Sequence, residues 1–297
     1  MAIINVQGFF DLHVHSAPAP FVRIGDSVDI AEWCAAAGMA GIVIKSHFES
    51  TISKAHHARR EVTKTYPDFK VFAGIALNRG VGGINPGAVE WALDQGAKIV
   101  WLPTFDAANH ARAFGGVGTY GFKSMTVPSR KTVLHEQFTV LKGNRLSDKA
   151  KEVIDLIAAY DAVLATGHVS KEEIFAAVDY AKSKKVKRLL ITHPEYTVPN
   201  LDPDAMVALA KEGASMEFCA VSCGPMTPCS SIEKVKEYID AVGVKHAIIA
   251  SDTGQPFSPK PPEALRVFAQ CLHERGIKED AIKQMAIANP KRLLGLR

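Results

Sequence analysis

Residues 162–193 read AVLATGHVSKEEIFAAVDYAKSKKVKRLLITH, and the rhythm of that stretch decides the fold. Ala162 to Thr166 is an apolar run of strand length. Lys171 to Lys184 has helical length, with Ser170 ahead of Lys-Glu-Glu as its N-terminal signal. Arg188 to Thr192 is a second apolar run. Strand, long crossover helix and strand make a parallel βαβ unit. A histidine follows each run, His168 after the first and His193 after the second.

The same rhythm extends in both directions. Strands are expected at Phe9 to His13, Gly41 to Lys45, Val71 to Ala76, Lys98 to Leu102, Ala162 to Thr166, Arg188 to Thr192, Ser215 to Cys219 and Ala247 to Ser251. Helices are expected after them at Asp29 to Ala37, Thr51 to Thr65, Pro86 to Gln95, Ser147 to Tyr160, Lys171 to Lys184, Asp204 to Glu212, Ile232 to Val242 and Pro262 to Arg275. Eight such pairs in 297 residues predict an α/β protein, a (β/α)8 TIM barrel forming one domain over residues 1–297. An open doubly wound sheet is the alternative. It would normally carry a phosphate-binding glycine turn, and Gly80-Val81-Gly82-Gly83 does not fit Gly-x-Gly-x-x-Gly. A long insertion, residues 104–146, follows the fourth strand, with a glycine-rich run at 115–121 and a possible hairpin arm at Lys131 to Leu141. It is expected to form a lid over the barrel mouth.

With 47% hydrophobic and 22% charged residues the chain can bury a large core. Its 35 basic and 31 acidic side chains are scattered, and the one dense basic run, Lys182 to Arg188, ends a helix. No basic stripe with interleaved aromatics is present, so nucleic acid is not an expected partner. Five cysteines, at 34, 219, 223, 229 and 271, follow no framework spacing and suit a reducing compartment. No signal peptide and no membrane span is recognisable, so a soluble cytoplasmic protein is expected.

Polar residues gather where the strands end, which in a barrel is the active-site face. Asp11-Leu12-His13-Val14-His15 closes the first strand; alternation puts Asp11, His13 and His15 on one face, with the imidazoles roughly 6 to 7 Å apart at Cα. Lys45 and His47 end the second strand, His168 and His193 the fifth and sixth, and Asp252 the eighth. Imidazole and carboxylate without thiolate point to a divalent metal, with zinc the default and manganese, iron or nickel open. Cys219 and Cys223 lie near the end of the seventh strand and read as core or loop residues. Glu217, on the same face as Cys219, reads either as orienting a ligand or as part of a buried ion pair.

These positions together resemble the amidohydrolase superfamily: Asp11-x-His13-x-His15, single histidines His168 and His193, Asp252, and the tail Asn289-Pro290-x-Arg292-Leu293-Leu294-Gly295-Leu296. The resemblance spans nearly the whole chain and points to a sparsely characterised branch. It implies that His13, His15 and Asp252 hold one metal, that His168 and His193 hold a second or contact substrate, and that the tail packs structurally. Many dinuclear members carry a carboxylated lysine at the end of the fourth strand. Here that strand has Lys98 at its opposite end, whereas Lys45 ends the second. Lys45 either becomes a carbamate ligand in a two-metal centre or stays an ammonium beside a single metal.

The reaction this implies is hydrolysis of a small anionic amide, cyclic amide or lactone by a metal-activated hydroxide. Asp252 would shuttle the proton, and His193 or His168 would stabilise the oxyanion. Mouth-facing candidates for substrate contact are Arg23, Asn78, Arg79, His110, Arg112, Tyr120, Lys123, Arg130 and Tyr196. A metal-dependent decarboxylase, a phosphoesterase and a non-catalytic metal-binding barrel are the alternatives. Exposed outer helices leave room for a homo-oligomer.

Overall fold

The computed structural model of the chain describes residues 3–120, 136–224 and 228–296. Apart from one divided strand and one antiparallel hairpin, parallel strands alternate with helices. The order is β1 (Phe10–His15), α1 (Ser27–Ala36), β2 (Gly41–Lys45), α2 (Ile52–Val62), β3 (Lys70–Phe72), β4 (Gly74–Ala76), α3 (Pro86–Asp94), β5 (Ile99–Trp101) and α4 (Ala108–Phe114). A two-stranded hairpin follows, β6 (Leu141–Lys142) with β7 (Arg145–Leu146), and then α5 (Asp148–Ala159), β8 (Val163–Ala165), α6 (Lys171–Ser183), β9 (Leu189–Thr192) and α7 (Pro203–Lys211). The chain continues through β10 (Ser215–Cys219), α8 (Ile232–Val242), β11 (Ala247–Ala250), α9 (Pro261–Glu274), α10 (Glu279–Lys283) and α11 (Asn289–Leu294). No helix among the described residues is long and apolar enough to cross a membrane.

Two parallel sheets result, β1-β2-β3 and β4-β5-β8-β9-β10-β11. Their strands are apolar on both faces, as parallel sheets covered by crossovers require. Ile42 and Ile44 of β2 pack into the large core beneath the helices, while Val43 joins a second cluster with Phe10, Leu12, Trp101, Val163, Ala165, Leu190 and Ile248. Leu164 and Ile191 again face the large core. The second cluster therefore lies on the opposite strand faces from the helices. Leu293 and Leu294 of α11 complete it, which gives the C-terminal tail a packing role.

The strand expected over 71–76 is divided. Thr51 takes both polar groups of Gly74: its backbone N–H donates to the Gly74 carbonyl at 3.0 Å, and its hydroxyl oxygen accepts from the Gly74 N–H at 2.9 Å. A Cβ at Gly74 would overlap the Trp101 indole, so glycine lets that ring lie against the break. A second irregularity lies in β1, whose register with β2 shifts between Asp11 and Val14. Phe10 and Leu12 face the second cluster but Val14 faces the large core. The strict alternation expected for Asp11, His13 and His15 therefore fails at Asp11. Its Oδ1 instead accepts from the backbone N–H groups of His13 (3.1 Å) and Ser251 (3.0 Å).

Hydrogen bonds join the first strand to the segment after the last: Asp252 N–H to the His13 carbonyl at 2.9 Å, and His15 N–H to the Thr253 carbonyl at 2.8 Å. Of the expected insertion, α4 and the β6-β7 hairpin are ordered secondary structure. Residues 131–135 of the proposed arm at 131–141, with Lys123 and Arg130, lie outside the described residues.

The tail is anchored by Asn289, whose buried Nδ2 donates to the carbonyls of Val244 (2.8 Å) and Ala247 (2.7 Å) at the start of β11. Replacing Asn289 with Ala leaves both carbonyls without that donor. It is expected to lower the unfolding free energy by about 1–3 kcal/mol in urea titrations; a change below about 0.5 kcal/mol would show that this anchor contributes little.

Candidate metal centre

His13 is the hub of the strand ends. Its Nδ1 lies 3.1 Å from Glu217 Oε2, and its Nε2 lies 2.9 Å from Lys45 Nζ and 3.1 Å from Asp252 Oδ1. The same Asp252 oxygen lies 3.1 Å from His15 Nε2. Burial holds His13 down at about 3 and His15 well below its ordinary value, so both rings are neutral. With the His13 proton on Nδ1, facing Glu217, the two Nε2 atoms and Asp252 Oδ1 are three lone-pair atoms converging on one another. A cation reconciles them, and Lys45 Nζ donates a hydrogen bond to His13 Nε2 at that point here.

A second chain of contacts fixes another ring. His110, held at about 4 by burial, carries a single proton. Its Nε2 faces the Thr119 carbonyl at 2.9 Å, and a carbonyl only accepts, so the proton is there. His110 Nδ1 must then accept from His168 Nδ1–H, 2.9 Å away. Nε2 of the neutral His168 is left as a bare lone pair, ready to bind a metal. His193 completes the row, with ring centroids 5.0 Å from His168 and 5.8 Å from His13. Its buried Nδ1 has no partner among the described residues. His47 is occupied differently, with Nδ1 2.9 Å from Thr104 Oγ1 and Nε2 3.2 Å from the Tyr120 hydroxyl.

All six residues expected at the site come together: His13, His15, Lys45, His168, His193 and Asp252. Two of them sit on strained backbone, His193 at φ 27° and Asp252 at φ 50°, a conformation costly for residues other than glycine and concentrated at functional sites. Lys98 stands at the far end of β5 from the site, and the buried Trp101 ring lies 5.4 Å from Lys45 Nζ. Burial lowers the Lys45 amine below its ordinary range. Glu217 emerges as the orienting partner of His13, a role its place on β10 left open. Cys219 approaches too, with Sγ 4.0 Å from His13 Nδ1, and His13, Cys219 and Asp252 each offer a ligand atom within 4.8 Å of the others. Burial raises that thiol well above its ordinary value. His110 was placed only among mouth-facing residues; the signal for its pairing with His168 lies in the fold, across α4.

A cavity of about 40 Å³ opens at this cluster, lined by Arg23, Tyr120, His168, His193, Tyr196 and Asp252 among others. Arg23 forms part of its wall, and two of its guanidinium nitrogens, Nε and Nη1, are buried and lack any partner among the described residues. Burial brings the guanidinium down to about 10, so it remains a cation.

Residues 8–217 match the family described as "Family of unknown function (DUF6282)". No curated protein matches the chain. Among solved structures, the chain is similar to an amidohydrolase from Pseudomonas aeruginosa (12% identity, 97% of this chain and 95% of that one, TM-score 0.64). It is also similar to the probable dipeptidase PvdM of the same organism (10%, 97% and 94%, 0.63). A third likeness is to an organophosphorus hydrolase mutant from Deinococcus radiodurans (12%, 98% and 95%, 0.59). At such identities these likenesses establish the α/β fold.

The buried charges predict how stability follows pH without metal. Burial lowers six imidazoles, those of His13, His15, His47, His110, His168 and His193. Their contribution is present above about pH 6.5 and is lost as pH falls, because the unfolded chain then binds protons that the folded chain refuses. Burial raises Asp11 and Glu195 to about 7 and Glu217 to about 8. Their contribution has the opposite sense, present below about pH 4 and lost as pH rises through those values. Six groups against three leave the histidines in control between about pH 6.5 and 4.5. Urea midpoints of metal-free protein are expected to fall across that window; midpoints that rise would contradict the buried neutral cluster.

Proposed function

This chain belongs to the family of unknown function DUF6282, and we propose that it is a metal-dependent hydrolase of the amidohydrolase superfamily. In this reading its two sheets close through the β1–β11 junction into a single (β/α)8 domain over residues 1–297, with residues 104–146 as a lid. The observation that carries the function is the convergence of His13 Nε2, His15 Nε2 and Asp252 Oδ1. His13, His15 and Asp252 would hold one divalent cation, and Lys45, His168 and His193 would hold a second or its substrate. Zinc suits this donor set, with manganese, iron or nickel as alternatives. When bound, such a cation supplies Lewis acidity and makes hydroxide available near neutral pH.

The protein's own groups do the rest. Asp252 accepts a proton at the carboxylate oxygen left free by the cation and returns it to the leaving nitrogen or oxygen. His193, with no fixed partner for Nδ1, is the ring free to donate to a developing oxyanion. Arg23 has two buried donors without partners among the described residues, Nε and Nη1, and its guanidinium is the cation that a substrate carboxylate would pair with. The substrate is thus a small amide, cyclic amide or lactone bearing a carboxylate. Burial favours the neutral Lys45 amine, the form that adds carbon dioxide to give a carbamate and a proton. A decarboxylase of the same superfamily is the second reading: with Lys45 kept as the ammonium, it and Arg23 would place two cations around one small cavity.

Metal analysis beside mild intact-mass spectrometry tests the centre. Two metals per chain with a carboxyl adduct on Lys45 are expected, one metal with unmodified lysine would shift weight to the decarboxylase, and no metal would overturn the catalytic reading. Asp252→Asn is expected to cut kcat about 10²–10⁴-fold with far less effect on metal content; full activity would remove Asp252 from the proton path. Arg23→Met is expected to raise KM about 10–100-fold for carboxylate-bearing amides but not for their methyl esters.

A further inference from the structure

Beside the histidine cavity lies a second, larger one of about 210 Å³. Val221, Phe257 and Ser258 wall both. The remaining walls come from the turn after β10, from Ile232, Thr253 and Pro259, and from one face of α9, where Ala264, Val267, Phe268 and Cys271 succeed one another at helical spacing. Among the described residues, no charged side chain and no histidine lines it. Two large apolar side chains stand open there, Phe257 at 61% and Val267 at 41% exposure, although burial inward would be favourable. An apolar cavity of roughly 150 Å³ stays dry and accepts benzene, so this one has room for a single aromatic ring or a branched aliphatic chain.

We infer that this cavity is a substrate subsite, and that its occupant is an apolar substituent, aliphatic or single-ring aromatic, on the molecule whose carboxylate Arg23 holds. The inference rests on the hydrolase reading above. The shared wall makes one molecule able to reach both spaces, and the two spaces have opposite chemistry: imidazole, carboxylate and guanidinium on one side, uncharged carbon and sulfur on the other. A substrate with a carboxylate, a hydrolysable bond and a hydrophobic group matches them together. A compact pit of this size suits one side-chain-sized group better than a protein surface.

Cys223 and Cys271 line the subsite and Cys229 does not, which provides a readout independent of turnover. Protein as purified, with its metal, is titrated calorimetrically with N-acetylglycine, N-acetyl-L-leucine and N-acetyl-L-phenylalanine. In parallel, N-ethylmaleimide modification of each cysteine is followed by peptide mass mapping. The leucine and phenylalanine probes are expected to bind about 10–100-fold more tightly than the glycine probe, to slow modification of Cys271, and to leave the exposed Cys229 unchanged. Val267→Trp, at a half-open helix position, fills the space and is expected to reduce the preference to within about threefold while N-acetylglycine binds as before. Cys271→Phe, one helical turn on, should act alike and guards against a local effect of the first substitution. Equal binding of the three probes with unaltered Cys271 reactivity would overturn the subsite and leave the hydrolase reading standing. Binding of none would overturn the subsite together with the carboxylate-bearing amide reading.

Discussion

The junction between the first and last strands is the constraint on which the site depends. Asp252 N–H donates to the His13 carbonyl, Ser251 N–H donates to Asp11 Oδ1, and His15 N–H donates to the Thr253 carbonyl. These bonds place the Asp252 carboxylate over both strand-one histidines, and they explain why Asp252 tolerates a left-handed backbone. Asp11 is thereby committed to backbone rather than to metal, although it opens the same short motif. A substitution at Asp11 would act through the position of His13 and Asp252, not through a lost ligand.

The architecture was legible because parallel strands buried on both faces are written as uninterrupted apolar runs closed by polar residues. The runs at Gly41 to Lys45 and Ser215 to Cys219, and the helix at Ile232 to Val242, have the expected bounds. What composition hid are effects of third-party contacts. Thr51 and Trp101 divide the third expected strand at Gly74, and nothing within residues 71–76 announces it. The register shift in β1 likewise depends on its neighbours, so strict alternation misplaced Asp11. The nearness of the six candidate residues was readable from their common place at strand ends, whereas the Glu217–His13 and His110–His168 pairings needed the fold, since hydrogen-bond partners far apart in sequence carry no local pattern.

Charge burial gives the site its character. Neutral imidazoles, a lowered amine and carboxyls raised toward neutrality are collected where water is excluded, and several of their polar atoms have no partner among the described residues: Glu217 Oε1, Glu195 Oε2, Asp11 Oδ2 and His193 Nδ1. Each such atom opposes folding. A fold assembled only for stability has little reason to gather them at one rim. Binding of a cation by the deprotonated members would offset part of this cost, because a ligand that binds only the folded chain stabilises it.

The family match ends at Glu217, within β10, and so takes in His13, His15, Lys45, His168 and His193 together with the carboxylate that orients His13. Asp252 and α9 lie beyond it. In the fold, the earlier strands supply the histidines of the cluster and Glu217, which faces His13, while the segment after the last strand supplies Asp252 and α9 supplies one wall of the neighbouring cavity. Variation along α9 would therefore change which substituent is accepted without disturbing the histidine ring system, and variation at Asp252 would change the chemistry while leaving the apolar wall intact. On the proposed reading, separating these two duties on consecutive elements would let one cluster of buried groups serve different substrates.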